Sequence, residues 1–331
     1  MGQNTHQQDT HIAPEQDDGN ELRVIKLNKQ SQNMPTIKIL VACHKPEIVV
    51  QNDIICPIAV GADNDKKIPF QLKDNIGDDS ISHLNARFCE LTAQYWAYKN
   101  LKADYYGFFH YRRYLSFNHP DTKVEIKIPG IYNNIEEDFG LNETNILKLL
   151  QSADMILPQP IKCVSNYKHY KAAHDVKDLD FCLRYISQKF PQYNNAVQKY
   201  MKSNLGYYCN MFVTNKEIFF EYSKWLFDIL MAFDNQKDYT DLNSQQLRTV
   251  GYLGERLLGI FVTHIQLTRP DIKIAHVPFV IIKNTQNNTP HIAKKKYGPS
   301  IADSVANVII PRGTRAREYI KRVYIAFLGG R

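Results

Sequence analysis

Asp104-Tyr105-Tyr106-Gly107-Phe108-Phe109-His110-Tyr111-Arg112-Arg113-Tyr114 is the stretch on which the reading of this chain turns. Its first half is an apolar, aromatic run of strand length, and its second half is a block of polar and aromatic residues. A strand that stops at a basic cluster fits the end of a central strand in an α/β protein, where ligands bind outside the carboxyl ends of the parallel strands. Two adjacent arginines between tyrosines suit a pyrophosphate: guanidinium forks match phosphate oxygens, and a tyrosine stacks or hydrogen-bonds. The plainer alternative is a charged turn whose arginines pair with nearby acids.

On the N-terminal side of this stretch, TIKILVAC (Thr36 to Cys43) reads as a buried strand that stops at His44-Lys45-Pro46, and PIAVGA as a second strand ending at Gly61 and Ala62. A polar loop, DNIGDDSIS (Asp74 to Ser82), leads into a helical pattern from about Asn85 to Asn100. Strand, loop, helix and strand in this order predict a parallel α/β sheet. Beyond the basic cluster the pattern predicts a helix near Glu143 to Ser152, a strand at Asp154 to Pro158, helices between about Lys177 and Ser203, and a strand at Tyr207 to Val213. Thr214 and Glu217 read as a capping box for the next helix, GYLGERLLGIFVTHIQL as a further helix, and IAHVPFVII as one closing strand.

Two further segments carry candidate chemistry. In DNIGDD, Gly77 allows close backbone approach, Asp74 and Asn75 suit ribose or sugar hydroxyls, and Ser82 and Asn85 stand where Asn85 can cap an anion-favouring helix N-terminus. Glu90 falls within the helical pattern beside Tyr95 and Trp96, where a buried hydrogen bond competes with a catalytic role. In Gly254-Glu255-Arg256, glycines 251 and 254 make room for a ligand or a neighbouring backbone, and Glu255 is placed to act as a general base unless it only pairs with Arg113 or Arg256.

Other chemistries find little support. The chain has no Walker P-loop, no G-x-G-x-x-G, no H-E-x-x-H and no G-x-S-x-G, and His44, His110 and His119 lack zinc-ligand spacing. Of two D-x-D triplets, Asp63-Asn64-Asp65 follows a short strand and Asp178-Leu179-Asp180 reads as a helix start, so no metal ligand is assigned and divalent-metal dependence stays open.

The 331 residues, 44% hydrophobic and 23% charged, describe an ordinary globular chain. The six cysteines (43, 56, 89, 163, 182 and 209) are scattered and read as reduced, in keeping with a cytoplasmic protein. Residues 1–34, rich in Gln, Asn and Asp, read as a flexible tail with neither a signal peptide nor an anchor, and no apolar run approaches membrane-spanning length. Residues 283–331 carry net +8 and leave −1 for the rest of the chain. Within them TRAREYIKRVYIAFL reads as a basic amphipathic helix that can lie on the inner face of an anionic membrane, or pack as an ordinary terminal helix. The near-neutral remainder argues against a nucleic-acid partner.

Taken in order, VACHKP, DNIGDDSISHLNARFCELTAQYWAYKN, DYYGFFHYRRY, DMILPQP, NMFV and GYLGERLLG resemble the HYRRY-motif family of glycosyltransferases encoded in capsular and exopolysaccharide gene clusters, catalogued as a domain of unknown function of type 4422. The resemblance implies a GT-A-like (Rossmann-like) α/β domain over residues 35–282, with a mixed, mainly parallel sheet. It also implies hexosyl transfer, in some members galactofuranosyl transfer, from a nucleotide-diphosphate sugar. Where GT-A enzymes carry a D-x-D, this chain has His110-Tyr111-Arg112, which puts metal dependence in doubt.

On this reading no cofactor is permanently bound. The donor is expected to be UDP-linked and cradled by Ala42, His44, Lys45, Gly61, Asp74, Asn75, Gly77, Ser82, Asn85, His110 and Tyr111, with Arg112 and Arg113 on its diphosphate. Glu255, or failing it Asp74 or Glu90, is expected to activate the acceptor, a lipid-linked glycan, with Asn210 and Arg256 beside it. A non-catalytic glycan- or nucleotide-binding module is the competing reading. Sugar, linkage and oligomeric state are not legible.

Overall fold

The computed structural model describes residues 34–283, apart from 65–67, 78 and 119–123. But for Met34 and Lys283, the N-terminal tail and the basic C-terminal segment expected from the sequence lie outside the described residues.

The strands are β1 Ile37–Cys43, β2 Ile55–Ala59, β3 Leu72–Lys73, β4 Tyr105–His110, β5 Arg113–Leu115, β6 Glu125–Ile128, β7 Met155–Pro158, β8 Ile161–Lys162, β9 Leu205–Gly206, β10 Phe212–Asn215, β11 Ile274–Val277 and β12 Phe279–Ile282. The helices are α1 Asn85–Phe88, α2 Leu91–Asn100, α3 Ile135–Phe139, α4 Glu143–Leu150, α5 Asn166–Ala173, α6 Val176–Lys189, α7 Asn194–Lys202, α8 Lys216–Gln236 and α9 Thr249–Thr268.

The main sheet runs β11-β7-β10-β4-β1-β2-β3, and within that path only β10 is antiparallel to its neighbours. This is the mixed, mainly parallel α/β sheet that the sequence implies. Period-two alternation divides its side chains between two cores. Leu40, Ala42, Tyr106, Phe108 and Phe212 pack with α2, α8 and α9, whereas Ile39, Val41, Phe109 and Val213 pack with β5, β12, α3 and α4. From β1 the chain steps to β2 and β3 on one side and later returns to β4 on the other, so the crevice above β1 and β4 is the topological switch point.

Four local expectations need correction. The helix from Asn85 to Asn100 is broken at Cys89, whose φ of 53° puts it in the left-handed region. The capping box at Thr214 does not form: Asn215 is the N-cap, accepting from Ile218 N at 3.0 Å, while Thr214 bonds the Asp154 carbonyl. IAHVPFVII is two strands, because Pro278 has no N–H to continue a ladder; β11 joins β7 and β12 joins β5 and β6. Finally, the strand expected at Tyr207 to Val213 begins only at Phe212, as β10, which runs antiparallel between β4 and β7.

Candidate active site

β4 delivers His110 to the switch point opposite Ala42 of β1, and the chain turns back at once, His110 pairing with Arg113 of β5. Tyr111 and Arg112 are therefore the two residues of a tight turn. Backbone pairing with β12 fixes it: Ile281 lies opposite Arg113, and Ile282 N donates to Arg112 O at 2.9 Å. The Tyr111 ring is only 2% exposed, meets His44 edge-on at 4.9 Å, and carries the Arg112 guanidinium at 4.7 Å and Lys45 Nζ at 5.5 Å. Tyr111 is thus a buried platform that steadies cations, not the ligand-facing ring expected. Arg113 is exposed and Arg112 partly so.

His110 accepts from Arg112 N at 3.4 Å through Nδ1, leaving Nε2 as the donor of a neutral ring. Burial holds this imidazole well below its usual range, and Arg113, His44, Arg112 and Arg248 push the same way. The cluster's positive charge therefore comes from its arginines at neutral pH.

The break at Cys89 brings a carboxylate to the same place. Asn85 Nδ2 donates to the Cys89 carbonyl at 2.8 Å, and the reversal makes Glu90 the N-cap of α2 rather than an interior helical residue. There Asn210 Nδ2 donates to Glu90 Oε1 at 2.8 Å and to the Gly251 carbonyl at 3.2 Å. Asn210, Glu90, Ala42, Leu91, Gln94, Phe108 and Phe109 line a small cavity, and Asn210 Oδ1 is buried without a hydrogen-bond partner. Glycines 251 and 254 accommodate Cys89, Leu91 and Asn210, so the room they create is filled by neighbouring side chains.

Glu255 completes the group from α9. Burial pushes its carboxyl up to about 7; Arg256 and Arg113 oppose the rise and Glu90 adds to it. Arg256, 1% exposed, bonds Glu255 Oε2 at 3.1 Å and His169 Nδ1 at 2.8 Å, with its guanidinium 4.4 Å from the Tyr208 ring. It lies behind Glu255 as a buried positioning residue, so the direct acceptor contact expected of it is not supported. Burial, reinforced by Arg256, lowers His169 to about 4, so its ring is neutral beside the guanidinium.

Arg248, absent from the sequence-level candidates, N-caps α9; its Nε bonds Cys89 Sγ at 3.3 Å, and the Glu90 charge acts on it. It stands two helical turns before Glu255, a spacing that places both on one face and was readable in the sequence. Three arginines (112, 113 and 248) and two carboxylates (90 and 255) thus converge on the switch point.

The Gly61 to Asn85 loop is different. Asp74 is fully buried, accepting from Gly61 N at 2.8 Å, Ala62 N at 3.2 Å and Ser82 Oγ, so its carboxylate is committed internally and the base role considered for it is not supported. Ser82 is equally buried. Gly61 has φ +70°, and a Cβ there would fall 2.6 Å from Asn85 Oδ1, so this glycine serves the turn and the packing of Asn85. Asn75 bonds Asp63 at 2.8 Å. Gly77 packs on Asn100 at the far end of α2, about 15 Å along the axis from Glu90. Asp65 of the first D-x-D lies outside the described residues; Asp178 of the second is inside α6, bonded to Lys237 and Thr249. Among the described residues no three potential ligands gather as a metal centre.

The structure is thus a mainly parallel α/β sheet with an arginine-rich, carboxylate-bearing crevice at its switch point. Residues 38–266 match the family described as Domain of unknown function (DUF4422), and the chain belongs to it. Among solved structures it is similar to the apo structure of the WbbM bifunctional glycosyltransferase, with 32% identity over 75% of this chain and a TM-score of 0.72. The GT-A-like α/β class expected from the sequence accords with this likeness. The match spans 46% of the WbbM chain, so this chain corresponds to less than half of that protein. No curated protein matches.

Proposed function

We propose that this chain is a glycosyltransferase that moves a hexose from a nucleotide-diphosphate donor, UDP-linked, onto a glycan acceptor of a bacterial surface polysaccharide. The observation that carries the reading is the likeness to a glycosyltransferase over three quarters of the chain, beside a family match over residues 38–266 that takes in the crevice residues. The geometry supports a division of labour. Arg112, Arg113 and Arg248 hold the diphosphate and the charge that grows on it as the bond to the sugar breaks. His44 and Lys45, at the end of β1, adjoin the same turn. Galactofuranose is among the hexoses the family resemblance brings to the test.

Glu255 takes the proton of the acceptor hydroxyl, whose oxygen attacks the anomeric carbon while the nucleoside diphosphate leaves. A base near pH 7 suits this task, because it is ionised in part at neutral pH yet basic enough to take the proton. Glu90, held by Asn210, faces the same crevice and sustains the basicity of Glu255. On this reading the protein works in the cytoplasm at the inner membrane face, on a lipid-linked acceptor.

The test is nucleotide release and sugar transfer with a panel of UDP-, GDP-, dTDP- and CMP-sugars, with and without Mn²⁺ or Mg²⁺. The reading expects turnover with one nucleotide class, UDP. Donor binding without hydrolysis or transfer across an acceptor panel would replace it with a non-catalytic binding module.

A further inference from the structure

The charge of the described chain is segregated in a way the crevice does not use. Neither Pro160 to His174 nor Phe190 to Asn215 contains an Asp or Glu, although residues 1–282 as a whole carry net −1. These two segments meet at the small β8–β9 sheet, where Lys162 lies opposite Leu205. Cys163 N donates to Asn204 O at 2.7 Å and Asn166 N to Ser203 O at 3.0 Å, so the 163–165 loop and the 203–204 turn lie side by side. Ser203 ends α7, whose last turn carries Lys199 and Lys202, and Ser165 caps α5, whose first turn carries Lys168.

Lys162, Lys168, Lys199 and Lys202 are all exposed, and none forms an ion pair among the described residues. Among them stand two exposed aliphatic side chains, Val164 at 77% and Leu205 at 45% exposure. This exposure is built in. The buried Asn166 donates to Tyr200 O at 2.9 Å and Leu205 O at 2.8 Å and accepts from Tyr208 OH at 2.8 Å, clamping both sides of the small sheet.

We propose that this face docks on an anionic lipid bilayer, with Val164 and Leu205 entering the headgroup boundary and the lysines neutralising lipid charge. Aliphatic tips ringed by unpaired lysines match an interface that is negative at its surface and apolar just beneath it. A soluble acidic macromolecule would answer the lysines alone and leave the two apolar tips in water. The surface is also joined to the crevice: His169, one turn beyond Asn166 on α5, bonds Arg256, and Arg256 holds Glu255. Docking itself is independent of the transfer reaction; only the corollary that a lipid-linked acceptor is brought to Glu255 rests on the function proposed above.

The test is co-sedimentation of the full chain with vesicles of phosphatidylcholine alone and of equal parts phosphatidylcholine and phosphatidylglycerol. The chain is expected to partition onto the anionic vesicles, and the triple variant Lys162→Gln, Lys168→Gln, Lys202→Gln to bind them on the order of 100-fold more weakly, about fivefold for each lysine, with Tm and nucleotide release unchanged. A Val164→Trp variant reports depth, since Trp96 and Trp225 are buried: its emission should shift to the blue and be quenched by brominated lipid. Unchanged binding by the triple variant would overturn the proposal, as would unchanged Val164→Trp emission on bound vesicles, or binding of a soluble polyanion as tight as that of the vesicles. Failure of donor turnover in the wild type would remove the proposed function and leave vesicle binding to be judged separately.

Discussion

The Gly61 to Asn85 loop and the crevice between His110 and Glu255 draw on the same residue types, acids, amides, glycines and turn residues, yet they are finished differently. In the loop, Asp74 accepts from two backbone amides and Ser82, and Asn85 fills the space that Gly61 leaves open. In the crevice, arginines 113 and 248 are exposed, Glu255 is held partly protonated by burial, and Asn210 keeps a buried oxygen without a partner. Closed polar networks support a fold, whereas open ones hold capacity for a ligand. Sequence alone shows only that polar residues are present, so both regions look like sites.

Substitutions on the two sides should separate activity from stability. The largest effect is expected at Glu255: Glu255→Gln should lower kcat by about 10²–10⁴ while donor affinity persists, and wild-type turnover should rise with pH through about 7, an inflection the variant lacks. In the loop, Asp74→Ala strands three donors and should cost about 3 kcal/mol, lowering Tm by on the order of 10 °C while the folded fraction keeps its turnover rate. A fall in that rate with Tm unchanged would break the comparison.

Arg113→Ala should weaken donor binding by about 10- to 100-fold, read by calorimetry with the nucleotide diphosphate, with Tm almost unchanged. The same carboxyl should also give a pH-dependent difference in Tm. The Glu255 carboxyl is raised from 4.5 to about 7 in the folded protein, so its protonation contributes stability below about 4.5 that is lost as pH rises through about 7. Glu255→Gln should therefore gain up to about 3 kcal/mol, on the order of 10 °C in Tm, relative to wild type across that window. A constant difference from pH 4 to 8 would show that the carboxyl is not raised.

Much of the frame was legible in the sequence. The apolar runs of β1, β4 and β7 mark the central strands, and a basic cluster directly after β4 marks the sheet edge that carries the crevice. The direction of β10 was not legible, because period-two alternation is the same for a strand read either way. The break at Cys89 was hidden for a related reason: the apolar pattern runs on through it, and what stabilises the left-handed residue is the Asn85 side chain reaching forward to the Cys89 carbonyl. That break turns Glu90 from a helix-interior residue into a crevice residue. Arg256 illustrates the opposite error, a charge expected beside the acceptor that is buried behind Glu255 and pairs with it, as the alternative reading had it.

The central claim is that the open crevice is a transfer site whose proton acceptor is Glu255. It is tested most directly by following UDP release and glycan product from a UDP-hexose, wild type beside Glu255→Gln, with donor binding measured on both. Wild-type turnover together with a variant that binds donor but does not turn it over is the result predicted here. A variant as active as the wild type, or a wild type that binds donor and releases no nucleotide with any acceptor, would contradict it.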